Sequence, residues 1–309
     1  MARRKKGKLI NGWLVLDKPS GPTSTAVVNR ARRALDARKA GHGGTLDPLA
    51  TGVLPVALGE ATKTVAYAMT GTKTYSFTLR WGQGTRTDDS EGDVIAESDR
   101  RPTGPEIAAV LPRFQGQIQQ VPPIFSAIKV DGQRAYDLAR EEAEFELAGR
   151  PVWIEAIELA GQPDQDHATF SVTCGKGAYM RSLARDIGVA LDCPAHIVAL
   201  RRTRVGPFRE EHAISLESLE ALGHSAAAVA ESLLPVETAL DDIPALALTE
   251  TEANRLRCGQ AVSLVARANR ERIHDLTNGA MICAMSSGKA VALVKFEDGG
   301  LHPVRVLNL

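Results

Sequence analysis

The stretch YSFTLRW, residues 75–81, alternates without a break. Tyr75, Phe77, Leu79 and Trp81 fall on one side, with Ser76, Thr78 and Arg80 on the other. A period of two belongs to a strand with one dry and one wet face, and a helix would scatter these residues around its circumference. Such a strand needs neighbours on both edges and a layer over its dry face. Shorter strand signals lie at WLVL (13–16) and near 151–159 and 168–174. Helical signals run from a Thr23 or Ser24 cap to about Arg38, with Val27, Ala31, Ala34 and Leu35 on one face, and again at about 134–143 and 178–191. VDG at 130–132 reads as a hairpin turn and GQGTRTDDSEGD (82–93) as a polar loop. Strands and helices do not alternate in a regular β-α-β beat. The pattern predicts an α+β fold with a mixed, largely antiparallel sheet.

A chain of 309 residues accommodates one large domain and a small one. Residues 1–10 read as a basic disordered tail and 11–245 as the main domain. Beyond DDIPALAL the composition changes: a short helix over 250–257 ending at Gly259, then the short strands MICAM, AVALVKF and HPVRVLNL. Residues 246–309 are therefore expected to form a small β-rich appendage. No internal repeat is visible.

Lys+Arg and Asp+Glu both number 37, yet the charge is segregated. Residues 1–40 hold eleven basic residues against Asp17 and Asp36, and residues 173–209 hold seven against Asp186 and Asp192. Residues 210–252 hold ten acids and no Lys or Arg. A neutral protein can carry a basic face for a phosphate backbone in this way, although solvated helix faces would give the same pattern. For the acidic stretch, one reading is that it holds nearby surface off a nucleic acid. The four cysteines are far apart and the apolar run at the start is broken by Asn11 and Gly12. A reducing, cytoplasmic setting is expected, with no membrane span.

Nucleotide-binding glycine patterns and metal-binding histidine spacings are absent, so neither cofactor nor metal is expected. The stretch GHGGTLDPLATGVLP (41–55) sets one carboxylate, Asp47, among glycines. Asp-Pro is a common turn dipeptide, and a carboxylate is also a nucleophile or general base. Gly41, Gly43, Gly44 and Gly52 would let a bulky ligand approach the backbone. With one carboxyl rather than two, a reaction whose leaving group never departs fits better than glycoside hydrolysis. Tyr75 reads as core or as a site residue, and His42 as a turn residue or a site residue. Arg181, near a helix N-terminus where a cation is poorly placed, is better explained with a carboxylate partner. Cys174 reads as a buried structural thiol.

The blocks NGWLVLDKPSGPTS, GHGGTLDPLATGVLPVALGEATK, KTYSFTLRWGQGTRTDDSEG, PPIFSAIKVDGQRAYDLAR, CGKGAYMRSLARDIG and ALRRTRVGPF occur in this order. Together they closely resemble the bacterial tRNA pseudouridine-55 synthase family over about residues 11–210. Residues 247–309 more weakly resemble that family's PUA-like domain. Gly43 departs from the Thr or Lys common at that place, which bears on loop stiffness. The resemblance implies a pseudouridine-synthase-like catalytic domain and a PUA-like RNA-binding domain. It also implies isomerisation of the T-loop uridine (position 55) of tRNA. Asp47 would be the catalytic aspartate, Arg181 its partner, Tyr75 a stack for the flipped base, and Tyr179 part of the pocket. His42 would help hold the vacated stack, and Lys18, Pro19 and Leu200 would support or line the site. The implied partner is the tRNA T-arm stem-loop, with a monomeric enzyme needing no protein partner. Two other readings are an RNA-binding tRNA folding helper, which would not need Asp47, and a guide-RNA-dependent relative, which would carry a larger C-terminal domain.

Overall fold

The computed structural model describes residues 7–126, 128–130, 132–141, 145–222, 226–265 and 270–309. Most of the tail expected at 1–10 thus lies outside the described residues. Within it, Lys8 is not loose: its N–H donates to the Asp36 carbonyl and its carbonyl accepts from Arg38, at 2.6 and 2.9 Å.

The alternating segment lies within the strand Lys73–Trp81, where Phe77, Leu79 and Trp81 are fully buried and Tyr75 is half-buried. It sits near the middle of an eleven-stranded sheet. The spatial order along the main path is Ile214–Ser215, Gly12–Lys18, Thr51–Leu58, Ala195–Val205, Lys73–Trp81, His167–Cys174, Arg150–Asp164, Gly116–Gln120. Along this path two contacts are parallel: Gly12–Lys18 with Ile214–Ser215, and Thr51–Leu58 with Ala195–Val205. The remaining contacts are antiparallel, so the expected mixed sheet is present. The helix Met180–Ala190 buries Leu183, Ala184 and Ile187 against the dry face of Lys73–Trp81. On the other half of the sheet, the helix Ser24–Ala34 buries Val27, Val28 and Ala31.

Two sequence readings are corrected. The first helix ends at Ala34 rather than Arg38, because Asp36 takes a positive φ of 48° and turns the chain into the pairing with Lys8. The segment 82–93 is not wholly a loop: Gln83–Thr85 pairs with Val94–Glu97, and only the residues between them form a turn. The VDG turn does join two short paired strands, Lys129–Val130 and Gln133–Arg134; Asp131 is outside the described residues.

A five-stranded sheet follows near the C-terminus, ordered Ala245–Ala247, Met281–Ser286, Lys289–Glu297, Gly300–Val306, Val262–Ser263. It shares apolar packing with the large sheet: Cys283, Ala290, Leu293 and Leu307 lie in one cluster with Trp13, Val15 and Val53. Polar clamps reinforce this contact. The Glu237 carboxylate accepts from the Ala290 N–H at 2.8 Å, and Lys63 donates to the Val306 carbonyl at 2.8 Å. The acidic stretch thereby acquires structural partners. Glu220 pairs with Arg30 at 2.8 Å, Glu210 with Arg201 at 2.5 Å, and Glu252 with Arg272 at 3.0 Å.

Gly52 marks the closest approach of backbone to backbone beside the parallel pair. Its φ is +98°, and an added Cβ would stand 2.2 Å from the Arg202 carbonyl oxygen. Gly52→Ala combines a strained φ with a clash against a sheet strand that cannot retreat. We expect a loss of roughly 3 kcal/mol or more, read as an earlier denaturant midpoint in equilibrium unfolding.

Candidate active site

Asp47 stands on the segment that enters the Thr51–Leu58 strand, and that segment is pinned along nearly its whole length. The Gly43 N–H donates to Pro55 at 2.8 Å. Arg202 donates to the Gly44 and Thr45 carbonyls at 3.1 and 3.2 Å. The Ser24 hydroxyl, at the start of the first helix, donates to the Leu46 carbonyl and accepts from the Leu46 N–H, at 3.0 and 2.8 Å. The Asp47 carbonyl accepts from Ala50, and the Pro48 carbonyl from Gly21. Lys18 donates to Pro48 and Ala50 at 3.0 and 2.7 Å. The segment is irregular yet held by its own carbonyls, and the Asp47 side chain takes no part in holding it. Two of its glycines, Gly43 and Gly52, serve packing, while a Cβ at Gly41 would stand in open space. An added Cβ at Gly43 would meet Ala68 at 3.2 Å and Trp13 at 3.4 Å, and Gly52 admits the Arg202 backbone.

The Asp47 carboxylate, partly exposed, receives the Arg181 Nε–H at 3.0 Å. Arg181 is itself buried, and its other nitrogens donate to the Thr87 and Phe125 carbonyls at 3.1 and 2.9 Å. A second carboxylate, Asp89, approaches the same guanidinium at 3.6 Å and is 3 % exposed. Asp89 in turn accepts from the Thr87 hydroxyl and the Glu91 N–H, at 2.5 and 3.0 Å. The guanidinium is therefore fixed on four sides, with one edge turned to Asp47. A cation buried near a helix N-terminus is tolerated here because carboxylates and carbonyls surround it.

Asp47, Arg181 and His42 line a cleft of about 870 Å³, together with Thr87, Asp89, Phe125 and Tyr136. Tyr75, Tyr179, Leu200 and Lys18 are not among its lining residues. Tyr75 and Leu200 pack in one cluster with Leu46, next to Asp47 in the chain. Burial pushes the Tyr75 phenol above its ordinary pKa, with the Arg202 charge opposing. The Tyr179 phenol is raised by burial and then by the Asp47 charge. Tyr179 caps the Met180–Ala190 helix, and its backbone exchanges two hydrogen bonds with the Gln120 amide, at 2.8 and 3.0 Å. Burial lowers the His42 imidazole, helped by the charge of Arg202. The Cys174 thiol is buried and pushed up to about 12, as a structural cysteine should be.

Lys18 is fully buried, and burial lowers its pKa from 10.5 to about 8, opposed by the Asp47 charge. The unfolded chain binds this proton more tightly, so stability linked to Lys18 rises as pH climbs from about 8 toward 10.5. In Lys18→Met that increment should vanish. Between pH 8 and pH 10 the wild type should gain about 2 kcal/mol on the variant, measured by denaturant unfolding at both values.

Sequence reasoning missed Asp89 and Arg202. Asp89 lay in the quoted RTDDSEG block but no spacing rule joins it to Arg181. The turn is delivered by a single bridge, in which the Ile197 N–H donates to the Asp88 carbonyl at 3.1 Å. Among the described residues no group of three or more His, Cys, Asp or Glu is placed to hold a metal ion, and no helix is long and apolar enough to cross a membrane.

Residues 32–180 match the model of the TruB family pseudouridylate synthase N-terminal domain, and residues 181–241 match the tRNA pseudouridylate synthase B C-terminal domain. The tRNA pseudouridine synthase B of Rhodospirillum rubrum is 55% identical over 309 residues, covering all of both chains. The chain belongs to the tRNA pseudouridine synthase B family. These are enzymes that isomerise uridine in tRNA. The relative of the same name from Caulobacter vibrioides is 54% identical, again over both full lengths. Among solved structures, one of a Cbf5-Nop10-Gar1 complex superposes with a TM-score of 0.70 at 30% identity, covering 93% of this chain and 78% of that one. An H/ACA RNP bound to a substrate RNA containing 2'-deoxyuridine superposes at 0.74 and 24% identity, covering 100% and 92%, a likeness of fold. The architecture is thus the α+β pseudouridine synthase fold.

Proposed function

We propose that this protein converts the T-loop uridine (position 55) of tRNA to pseudouridine, with Asp47 acting as nucleophile or base on a flipped-out uridine. The observation that carries this reading is the carboxylate of Asp47, on a segment held by backbone contacts at the wall of a cleft and facing a buried Arg181 bonded through all three of its nitrogens. The glycosidic C–N bond breaks, the base turns in the cleft, a C–C bond forms at C5, the C5 proton is lost, and N1, freed from the sugar, takes up a proton, so that the product is an isomer of the substrate. Atoms balance without water, metal or cofactor. Such a target must first leave its stack at a cost of a few kcal/mol. In this reading Arg181 holds Asp47 in place, and the base reaches past the lining of the open cleft to stack on Tyr75, which packs behind Leu46. Tyr179 and Leu200 support the pocket from behind its lining, His42 supports the vacated stack, and Lys18 stiffens the Asp47 segment.

The exposed Arg32, Arg33, Arg38 and Lys39 supply charge for the phosphates of the T-arm stem-loop. Residues 11–245 act as the catalytic domain and 246–309 as a PUA-like RNA-binding domain, in a cytoplasmic monomer that needs no protein partner. The test uses an unmodified tRNA transcript labelled at uridine, incubated with the full-length protein, digested and chromatographed by position. Pseudouridine at the T-loop uridine is the expected result. Product elsewhere in the tRNA would overturn the site assignment, and tight binding without product would favour the folding-helper reading.

A further inference from the structure

Arg202 is 1 % exposed. Its neighbour Arg201, on the other face of the strand, pairs with Asp17 and Glu210. Among the described residues no carboxylate stands within ion-pair distance of Arg202. Burying a guanidinium without a counter-ion costs several kcal/mol unless its donors are all used. Here three of the five go to main chain, Nε to the Val53 carbonyl at 2.9 Å, Nη1 to Thr45 at 3.2 Å and Nη2 to Gly44 at 3.1 Å, and the guanidinium also bonds the Tyr75 hydroxyl.

Those three carbonyls lie on the two limbs of the segment that carries Asp47, two on the entering limb and one on the leaving limb. The planar fork of arginine spreads its donors over both limbs at once, whereas a lysine gathers its acceptors around one nitrogen and an apolar side chain binds none. The sheet fixes where the fork sits. Arg202 is in register with Gly52 on one flanking strand and with Tyr75 on the other, and glycine at 52 is what lets the strands come so near. An apolar residue would fill this volume at lower cost, so the buried charge needs a reason other than packing.

We propose that Arg202 is a positioning residue for the isomerisation: it straps both limbs of the Asp47 segment to the sheet and so sets the carboxylate against Arg181. This rests on the reading that Asp47 is the reacting group. A displacement of the order of 1 Å at a reacting group costs about 100-fold in rate, while RNA binding, made across a far larger surface, is left nearly intact.

The test compares full-length Arg202→Met, Arg202→Lys, Asp47→Asn and wild type on an unmodified tRNA transcript. Dissociation constants, single-turnover rates and melting curves are measured for each. Folded Arg202→Met should bind within about threefold of wild type and react about 30- to 100-fold more slowly, with Arg202→Lys slowed less. A folded Arg202→Met with the wild-type rate would sink the proposal, as would losses of rate and binding that merely track the unfolded fraction. If Asp47→Asn keeps full activity, the premise has failed rather than the strap. Should both Arg202 variants fail to fold, nitrogen-15 relaxation of the arginine side chains in the wild type decides. Slow exchange and hindered rotation of the Arg202 guanidinium are expected, and a freely rotating one refutes the strap.

Discussion

Asp47→Asn should yield a folded protein that binds tRNA and forms no pseudouridine. The substitution keeps the shape of the side chain, and an amide oxygen can still accept from Arg181. The segment itself will not move, because it is held by Gly43, Ser24, Ala50, Gly21, Lys18 and Arg202 through main-chain atoms. The Asp47 side chain is 37 % exposed, so losing its charge should change stability by no more than about 1 kcal/mol. What disappears is the carboxylate's ability to form a bond or take a proton, and with it a rate factor on the order of 10⁴ or more. Positional chromatography of labelled transcript measures the product, and filter binding measures the complex. Wild-type product from Asp47→Asn would return Asp47 to a turn residue.

Arg181→Met should damage both stability and rate, in contrast with Asp47→Asn. Methionine fills the space but donates to neither Thr87 nor Phe125, and it leaves Asp89 buried beside no cation. Removing one partner from a buried ion pair typically costs about 3–5 kcal/mol. For a chain of this size that is a fall in melting temperature of roughly 10 °C. The rate should fall by about 100-fold or more in the fraction that remains folded, because Asp47 loses the contact that orients it. Arg181→Lys keeps the charge but gathers its donors on one nitrogen instead of a planar fork, so it should lie between the two. An unchanged melting temperature for Arg181→Met would show that the buried pairing contributes nothing net. The double variant Arg181→Met/Asp89→Leu separates the two effects. It should recover much of the stability, since no charge is left stranded, and none of the rate.

The C-terminal sheet also changes meaning once packing is seen. As a stretch of sequence it is an appendage; in the fold its Leu293 and Leu307 share apolar cover with Trp13 and Val53, one residue after Gly52. The acidic stretch was given no partner by its composition. It supplies ion pairs to Arg30, Arg201 and Arg272 and a carboxylate cap for Ala290.

The period-two run at 75–81, the absence of a β-α-β beat and the short periodic runs determined the α+β class, because hydrophobic periodicity is local and survives in one dimension. The six ordered blocks determined the family, and they placed Asp47, Tyr75, Tyr179 and Arg181 in one account. Only the tertiary structure decided how Asp47 is held. Asp89 meets Arg181 across 92 positions, and Arg202 straps carbonyls at 44, 45 and 53 from about 150 positions away. Those partners arrive by strand pairing and a single bridge into a turn, and a spacing along the chain does not encode them. The same holds for burial: nothing along the chain marks Lys18, Arg181 and Arg202 as buried, and only the surrounding carbonyls and carboxylates make their removal from water affordable.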